Sequence, residues 1–162
     1  MKKIVKGAEP PLLRDYRTNK PDATWTECRT TKARRLEIQA KLSKDQGGLC
    51  AYCEIDLKSA GATGGADLRV EHFHPKSDST AGHNWHLDWQ NLLACCHGGS
   101  QRNVVDASSR FTSPDHSCDV PKEGNDWDNV ILNPLALLAF PRLFHFKRVD
   151  GSMVVDVTKC TG

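Results

Sequence analysis

The sequence has no long hydrophobic run. No stretch of its 162 residues approaches the roughly 20 consecutive apolar residues that cross a bilayer. Residues 1–11 include lysines but no continuous apolar segment of the kind found at the centre of a secretory signal peptide. These two absences exclude the membrane-spanning class, and we expect a cytoplasmic protein with no membrane partner.

The sequence also lacks a large excess of positive or negative charge. The formal net charge is +2 and the isoelectric point is about 8.2. Affinity for phosphate groups depends on where the basic residues lie rather than on a small net excess, so the charge allows a nucleic-acid partner without predicting one. With 38% hydrophobic and 26% charged residues, the composition is typical of one globular domain with short appendages.

Cysteine, by contrast, is plentiful. The chain has seven cysteines, an odd number that disulfides cannot fully pair. In the reducing cytoplasm, cysteines that are grouped with histidines and acidic residues are more often metal ligands than disulfide partners. The sequence therefore indicates a metal site.

The first part of the chain divides into an arm and a helix. Residues 1–30 are rich in lysine, arginine and proline and have no apolar period, so they predict an extended N-terminal arm. Good helix formers from Thr31 to Gln46 predict a helix, which Gly47-Gly48 ends in a left-handed turn. That turn leads directly into Cys50.

The rest of the chain predicts two hairpins. Alternation from Leu68 to Phe73 and an apolar run from Trp89 to Cys96 indicate two pairing strands, so that residues 31–128 form the core. A Gly/Ser-rich insertion occupies residues 98–117. Residues 129–162 form an extension with a hairpin around Asp150-Gly151.

The pair Cys50-x-x-Cys53 follows a helix stop, a position where two thiolates can converge on one zinc ion. A tetrahedral structural site needs two further ligands. The spacing alone leaves five candidates, which are Cys95, Cys96, His97, His116 and Cys118. A reduced pair that only packs, or one that does redox chemistry, is the alternative.

Glu71-His72-Phe73-His74-Pro75 places a carboxylate and two imidazoles at the end of the first predicted strand. A single histidine is more often a packed residue than a catalytic one. Here the acid and the histidines lie between an upstream Cys-x-x-Cys and a downstream Asn91-Leu92-Leu93, and this order indicates a catalytic or metal-binding loop.

Four motifs in this order resemble the HNH endonuclease family. They are Cys50-Ala-Tyr-Cys53, Val70-Glu71-His72-Phe73-His74-Pro75-Lys76, Trp89-Gln90-Asn91-Leu92-Leu93-Ala94 and Cys118-Asp119-x-x-Lys122-x-Gly124-Asn125. Cys96-His97-Gly98, His116-Ser117-Cys118-Asp119 and Asn133-Pro134-Leu135 extend the resemblance to the PtuB nuclease subunits of Septu and retron anti-phage systems. The resemblance implies an α+β fold with a zinc-stapled ββα-metal core that is treble-clef-like, between an N-terminal arm and helix and a C-terminal hairpin.

Roles follow from the resemblance residue by residue. His72 matches the general base, Glu71 the acidic metal ligand beside it, and Asp119 the last metal-ligand position, with Mg²⁺ or another divalent cation as the catalytic ion. Asn91 matches the asparagine that orients the loop. The structural Zn²⁺ falls to Cys50, Cys53, Cys96 and Cys118. Glu71 and Asp119 stand where the family commonly has Asp and Asn or His, and both keep an oxygen ligand.

The expected function is hydrolysis of phosphodiester bonds in DNA or RNA. The resemblance also implies partners: a PtuA-like ATPase and, in retron systems, a reverse transcriptase with its multicopy single-stranded DNA. The alternative is a zinc-stabilised adaptor with a degenerate site. The basic residues that flank the motifs are candidate phosphate contacts, namely Lys76, Arg102, Lys122 and Arg148.

Overall fold

The computed structural model describes residues 2–57, 59–60, 65–66, 68–79, 82–98, 116–137, 144–150 and 152–158. Residues 99–115 of the expected insertion, together with Arg102, lie outside the described residues. Of the helices in the described ranges, none has the length and apolar character needed to cross a bilayer.

The sequence predicts an extended arm over residues 1–30, but the described residues of this region contain two helices. Helix α1, Pro11–Asn19, begins with proline, whose fixed φ suits a first helical turn, and it buries Leu13. Helix α2, Trp25–Cys28, begins at a capping box in which Thr24 and Glu27 satisfy each other's backbone N–H groups. These are short-range signals, which an argument based on apolar periodicity overlooks.

Helix α3, Lys32–Asp45, confirms the helix that the sequence predicts. It buries Ile38 and Leu42. Gly47 and Gly48 have φ values of +67° and +76°, and the N–H of Gly48 donates to the carbonyl oxygen of Ser43 at 2.8 Å. Glycine takes this left-handed conformation without a steric penalty, so the chain turns sharply toward Cys50.

The described strands form three antiparallel pairs. Strands β1, Ser59–Ala60, and β2, Gly65–Ala66, make a short pair. Strands β3, Arg69–His72, and β4, Leu92–Cys95, form the central hairpin, in which Arg69 faces Cys95 and His72 faces Leu92. Strands β5, Phe144–Phe146, and β6, Met153–Val155, confirm the predicted C-terminal hairpin.

The core surrounds the central hairpin. All four residues of β4 are buried, and the N-terminal arm contributes Ile4, Leu13 and Trp25 to the same apolar cluster. Within residues 116–137 the chain follows turns rather than a helix. The α+β class is therefore borne out, whereas a helix that follows the central hairpin is not among the described residues.

Gln46, just beyond α3, ties the central hairpin to the chain before Cys50. Its amide nitrogen donates to the carbonyl oxygens of Leu49 and Ala94, both at 2.8 Å, and its amide oxygen accepts from the N–H of Ala94 at 2.7 Å. Only 5% of Gln46 is exposed. The side chain of Gln46 thus makes the hydrogen bonds to Ala94 of β4 that a further strand would otherwise make.

We expect Gln46→Ala to lower the free energy of unfolding by about 2–4 kcal/mol, because it leaves buried backbone groups without partners. Urea denaturation measures this loss. Gln90→Ala is the matched control, since Gln90 is exposed and its replacement should change stability by less than about 0.5 kcal/mol. Equal stability of the two variants would contradict the bridging role of Gln46.

Candidate active site and metal centre

Four cysteine side chains converge at one point. The sulfur atoms of Cys50, Cys53, Cys96 and Cys118 all lie within 4.8 Å of one another. Three of the separations are 3.7 Å for Cys50–Cys118, 3.8 Å for Cys53–Cys96 and 3.4 Å for Cys96–Cys118. Zn–S bonds of about 2.3 Å in a tetrahedron place the sulfur atoms about 3.8 Å apart. The cluster thus has the dimensions of a structural metal site.

The first two ligands lie on a tight turn. The N–H of Cys50 donates to the carbonyl oxygen of Ile55, and the N–H of Glu54 donates to that of Cys50. Glu54 adopts a φ of +58°, which closes the turn. A backbone bridge pairs Leu49 with Asp56, the residues on either side of this turn. The N–H of Ala51 donates to the carbonyl oxygen of Ala94 at 2.9 Å. This bond holds the turn against β4, where the third ligand follows.

The chain brings Cys118 back to Cys96 at a glycine. Gly98 has a φ of +53°, and the N–H of Ser117 donates to its carbonyl oxygen at 3.0 Å. A Cβ atom at Gly98 would lie 2.3 Å from the backbone oxygen of Ser117, so only glycine permits this approach. The insertion therefore starts and ends at one point, and Cys96 and Cys118 act as a close pair despite their separation in sequence.

The other candidate ligands lie outside the cluster. Cys95 is fully buried and is not part of the four-sulfur group, and burial raises the pKa of its thiol. Neither His97 nor His116 belongs to the group of sulfur ligands. Within the cluster, hydrogen bonding, first of all with Cys118, lowers the pKa of the Cys53 thiol, and hydrogen bonding, first of all with Cys50, raises that of Cys118.

A cleft of about 620 Å³ lies beside this cluster. Glu71, His72 and Asp119, which the sequence predicts as site residues, all line it. It is also lined by basic side chains and an aromatic one from the helical region, namely Arg29, Arg35, Arg69, Lys76 and Trp25. The cleft thus combines the carboxylates of Glu71, Asp119 and Glu123 with these four basic side chains.

His72 is held in one orientation. Its ring is 5% exposed and meets Trp25 edge to face at a centroid distance of 5.4 Å. Its Nε2 lies 3.1 Å from the carbonyl oxygen of His86, and because a carbonyl only accepts, Nε2 carries the proton and donates. Burial lowers the pKa of His72 to about 3. The ring is therefore neutral at physiological pH, and its Nδ1 holds the free lone pair.

Glu71 and Asp119 are two carboxylates removed from water. Their exposures are 8% and 3%, and burial raises the pKa of each. Lys122 donates to Glu71 at 2.9 Å, and Arg69 pairs with Asp119 at 3.2 Å. The Oδ1 atom of Asp119 is buried and has no hydrogen-bond partner among the described residues. Oxygen ligands and an unsatisfied buried carboxylate atom fit a hard divalent cation.

Asn91 lies behind the cleft and fastens the loop that follows His72. Its amide oxygen accepts from the N–H of His74 at 2.7 Å, and its amide nitrogen donates to the carbonyl oxygens of His74 and Trp85, both at 3.0 Å. Asn91 is itself 4% exposed. The arrangement fixes backbone geometry and places the asparagine away from the cleft.

The candidate phosphate contacts are placed differently. Lys76 lines the cleft. Lys122 is 2% exposed and also donates to the carbonyl oxygen of His72 at 2.9 Å, so it is a buried partner and cannot reach a phosphate. Arg148 lies at the C-terminal hairpin and is exposed, outside the residues that line the cleft. Sequence reasoning missed Arg29 and Arg35, whose approach to His72 depends on tertiary packing of α2 and α3.

One comparison identifies a relative of the whole chain. The chain is 36% identical, over an alignment of 173 positions, to a curated Escherichia coli protein named "Retron Ec83 putative HNH endonuclease". The alignment covers 99% of this chain and 64% of that relative. The resemblance to the HNH endonuclease family is confirmed. Because this chain spans less than two thirds of that relative's length, we assign the relative's activity to this chain only as a proposal.

The other two comparisons add no relative. No family model matches the chain, and no solved structure matches it. The HNH resemblance therefore rests on the motifs, on the retron relative and on the arrangement of the thiol cluster and cleft.

Proposed function

We propose that this chain is a metal-dependent HNH endonuclease whose cleft hydrolyses phosphodiester bonds of nucleic acid. One observation carries the proposal: His72, Glu71 and Asp119 line a single cleft together with three arginines and a lysine. A neutral imidazole, two carboxylates and arginines are the groups that phosphodiester hydrolysis needs. The retron relative supports the same assignment. The ββα-metal arrangement of the central hairpin is part of this proposal.

In the proposed reaction, Nδ1 of His72 removes a proton from a water molecule that lies in line with the scissile phosphorus. The water oxygen forms a bond to phosphorus, the bond to the 3′ oxygen breaks, and the departing oxygen takes a proton from solvent. The products then carry 5′-phosphates. The carbonyl oxygen of His86 keeps the ring in the tautomer that leaves Nδ1 unprotonated.

A magnesium or similar ion, held by Glu71 and Asp119, would stabilise charge that develops on the phosphate oxygens. Asn91 holds the loop that carries His72, and Arg29, Arg35, Arg69 and Lys76 bind the flanking phosphates. Zinc at Cys50, Cys53, Cys96 and Cys118 has a structural role, because four protein ligands leave no open position for a reacting water.

We expect Arg35→Ala to weaken binding of nucleic acid two- to tenfold and to lower the slope of log affinity against log salt by about 1, because one phosphate contact is lost. Fluorescence anisotropy with the inactive His72→Ala chain measures both quantities. Arg14→Ala on α1 is the matched control, since Arg14 is an exposed arginine outside the cleft residues. Equal effects of the two variants would place the binding surface elsewhere.

The partners are part of the proposal. The retron name of the relative supports action together with a reverse transcriptase and its multicopy single-stranded DNA, and the resemblance to PtuB supports a PtuA-like ATPase. The experiment is incubation of the zinc-loaded chain with labelled single-stranded DNA, double-stranded DNA and transfer RNA, with magnesium, in the presence and absence of these partners. We expect cleavage of one class of substrate with 5′-phosphate ends.

Failure to cut every substrate, with all partners present, would instead favour a non-catalytic adaptor that zinc stabilises. That alternative has one feature in its favour, which is the close pairing of Lys122 with Glu71 and of Arg69 with Asp119. The two cations neutralise the carboxylates in the absence of a metal. Cleavage that depends on magnesium would show that the ion competes successfully with these side chains.

A further inference from the structure

His74 stands in an acidic site apart from the cleft. Its Nδ1 lies 2.7 Å from Oδ2 of Asp128, and its Nε2 lies 2.9 Å from Oδ2 of Asp78. The ligand atoms of His74, Asp126 and Asp128 all lie within 4.8 Å of one another. His74 and Asp128 line a cavity of about 370 Å³ whose described lining contains no lysine or arginine. His72, Glu71 and Asp119 are not among the residues that line it.

A neutral His74 imidazole has fewer N–H protons than there are carboxylate acceptors beside it. A neutral imidazole carries one N–H, and a carboxylate oxygen only accepts. Both ring nitrogens of His74 nevertheless lie at hydrogen-bond distance from carboxylate oxygens. One nitrogen must therefore share a second cation with its carboxylate, and that cation is either another proton or a metal ion.

The surroundings favour the metal ion. Three carboxylates, those of Asp78, Asp126 and Asp128, lie around one imidazole. A divalent ion can be bound by several carboxylate oxygens at once, whereas a second proton on the ring is shared with one of them. Histidines that bind metals usually donate their other N–H to a carboxylate, and Asp78 occupies that position at Nε2. The Nδ1 atom is then free to bind a cation together with Asp126 and Asp128.

Contacts with neighbouring residues fix the position of His74. Asn91 bonds to both its N–H and its carbonyl oxygen, and the ring of Trp85 packs against the imidazole at a centroid distance of 4.1 Å. The N–H of Asp128 donates to Oδ1 of Asp126 at 3.0 Å, which keeps the two acids on one turn. The carboxylates of Asp126 and Asp128 are exposed, so they can rotate toward an ion that Nδ1 of His74 binds.

We propose that His74, Asp126 and Asp128 bind a divalent transition-metal ion such as Mn²⁺, in a second site separate from the thiol cluster and from the Glu71–Asp119 pair. The imidazole ligand favours a transition-metal ion over magnesium, which prefers oxygen ligands, and the two carboxylates are ligands that Mn²⁺ also accepts. The ion joins the loop after β3 to the turn at residues 126–128. It thereby stiffens the chain segment next to His72.

The test counts Mn²⁺ ions bound to the full zinc-loaded chain by electron paramagnetic resonance. The Glu71→Gln background removes a ligand of the pair in the cleft. In that background we expect one bound Mn²⁺ with a hyperfine coupling to an imidazole nitrogen. Addition of Asp126→Asn and Asp128→Asn should weaken binding at least tenfold, and His74→Gln should abolish the nitrogen coupling. The matched control is Asp15→Asn with Asp22→Asn, two acids of the N-terminal region that should leave binding unchanged.

Two results would overturn the proposal. One is binding of Mn²⁺ that the aspartate variants do not alter, and the other is binding only at millimolar Mn²⁺ with no nitrogen coupling. Zinc content and far-ultraviolet circular dichroism show that each variant is folded. Since no readout requires cleavage, the metal site stands or falls independently of the nuclease proposal.

Discussion

Replacement of His72 by alanine is expected to lower the rate of phosphodiester cleavage by at least a hundredfold. General-base catalysis by a positioned side chain contributes about 10²- to 10⁴-fold, and His72 has the fixed tautomer, with Nδ1 unprotonated, that this role requires. The measurement is single-turnover cleavage with the substrate that the wild-type chain cuts. Single-turnover conditions remove product release from the observed rate.

The control for this prediction must separate chemistry from folding. His72 packs against Trp25, so its loss creates a small cavity, and the zinc content and melting temperature of the variant must be measured beside its activity. His145→Ala is the matched variant, because His145 is an exposed histidine of the C-terminal hairpin. Cleavage at the wild-type rate by a folded, zinc-loaded His72→Ala chain would remove His72 from the role of base.

Replacement of Cys50 by serine is expected to abolish both zinc binding and cooperative folding. A structural zinc ion stabilises a small domain by about 10–16 kcal/mol, whereas the whole free energy of unfolding is about 5–15 kcal/mol. Loss of one of four thiolates therefore removes enough stability to unfold the chain. Zinc analysis and thermal denaturation by circular dichroism measure the two effects, and a strong chelator should reproduce them in the wild type.

Cys28 provides the comparison for Cys50. It is also buried and is absent from the thiol cluster, so Cys28→Ala should cost about 1 kcal/mol of packing and retain the zinc. If Cys50→Ser were to unfold with the same melting temperature as Cys28→Ala, the four thiols would be a packing cluster and not a metal site. Because both changes are made at buried cysteines, burial alone cannot explain a difference.

Sequence patterns predicted the frame of the site more accurately than its walls. The Gly47-Gly48 stop, the pairing of β3 with β4, and the order of the cysteines are local signals, and the structure has each of them. The choice of Cys96 and Cys118 over the other candidates followed only from the family resemblance. Spacing alone could not supply it, because the return of the chain to Gly98 depends on a long-range contact.

The walls depend on tertiary contacts that have no sequence period. Arg29 and Arg35 reach the cleft because α2 and α3 pack beside the central hairpin, and Gln46 acts through a partner 48 residues away. Lys122 is a second case in which the sequence could not predict the tertiary contact. Its charge suggested a surface contact with phosphate, yet the chain buries it against Glu71, where it balances a carboxylate that water cannot reach.

The hydrogen bond between Gly98 and Ser117 has a consequence for evolution. Because both ends of the intervening segment are fastened together at the rim of the thiol cluster, its length can change without moving any of the four sulfur atoms. Doubling the length of a flexible loop costs only about 0.6 kcal/mol. Natural selection is thus free to lengthen, shorten or exchange this segment to suit new partners, while the adjoining chemistry stays the same.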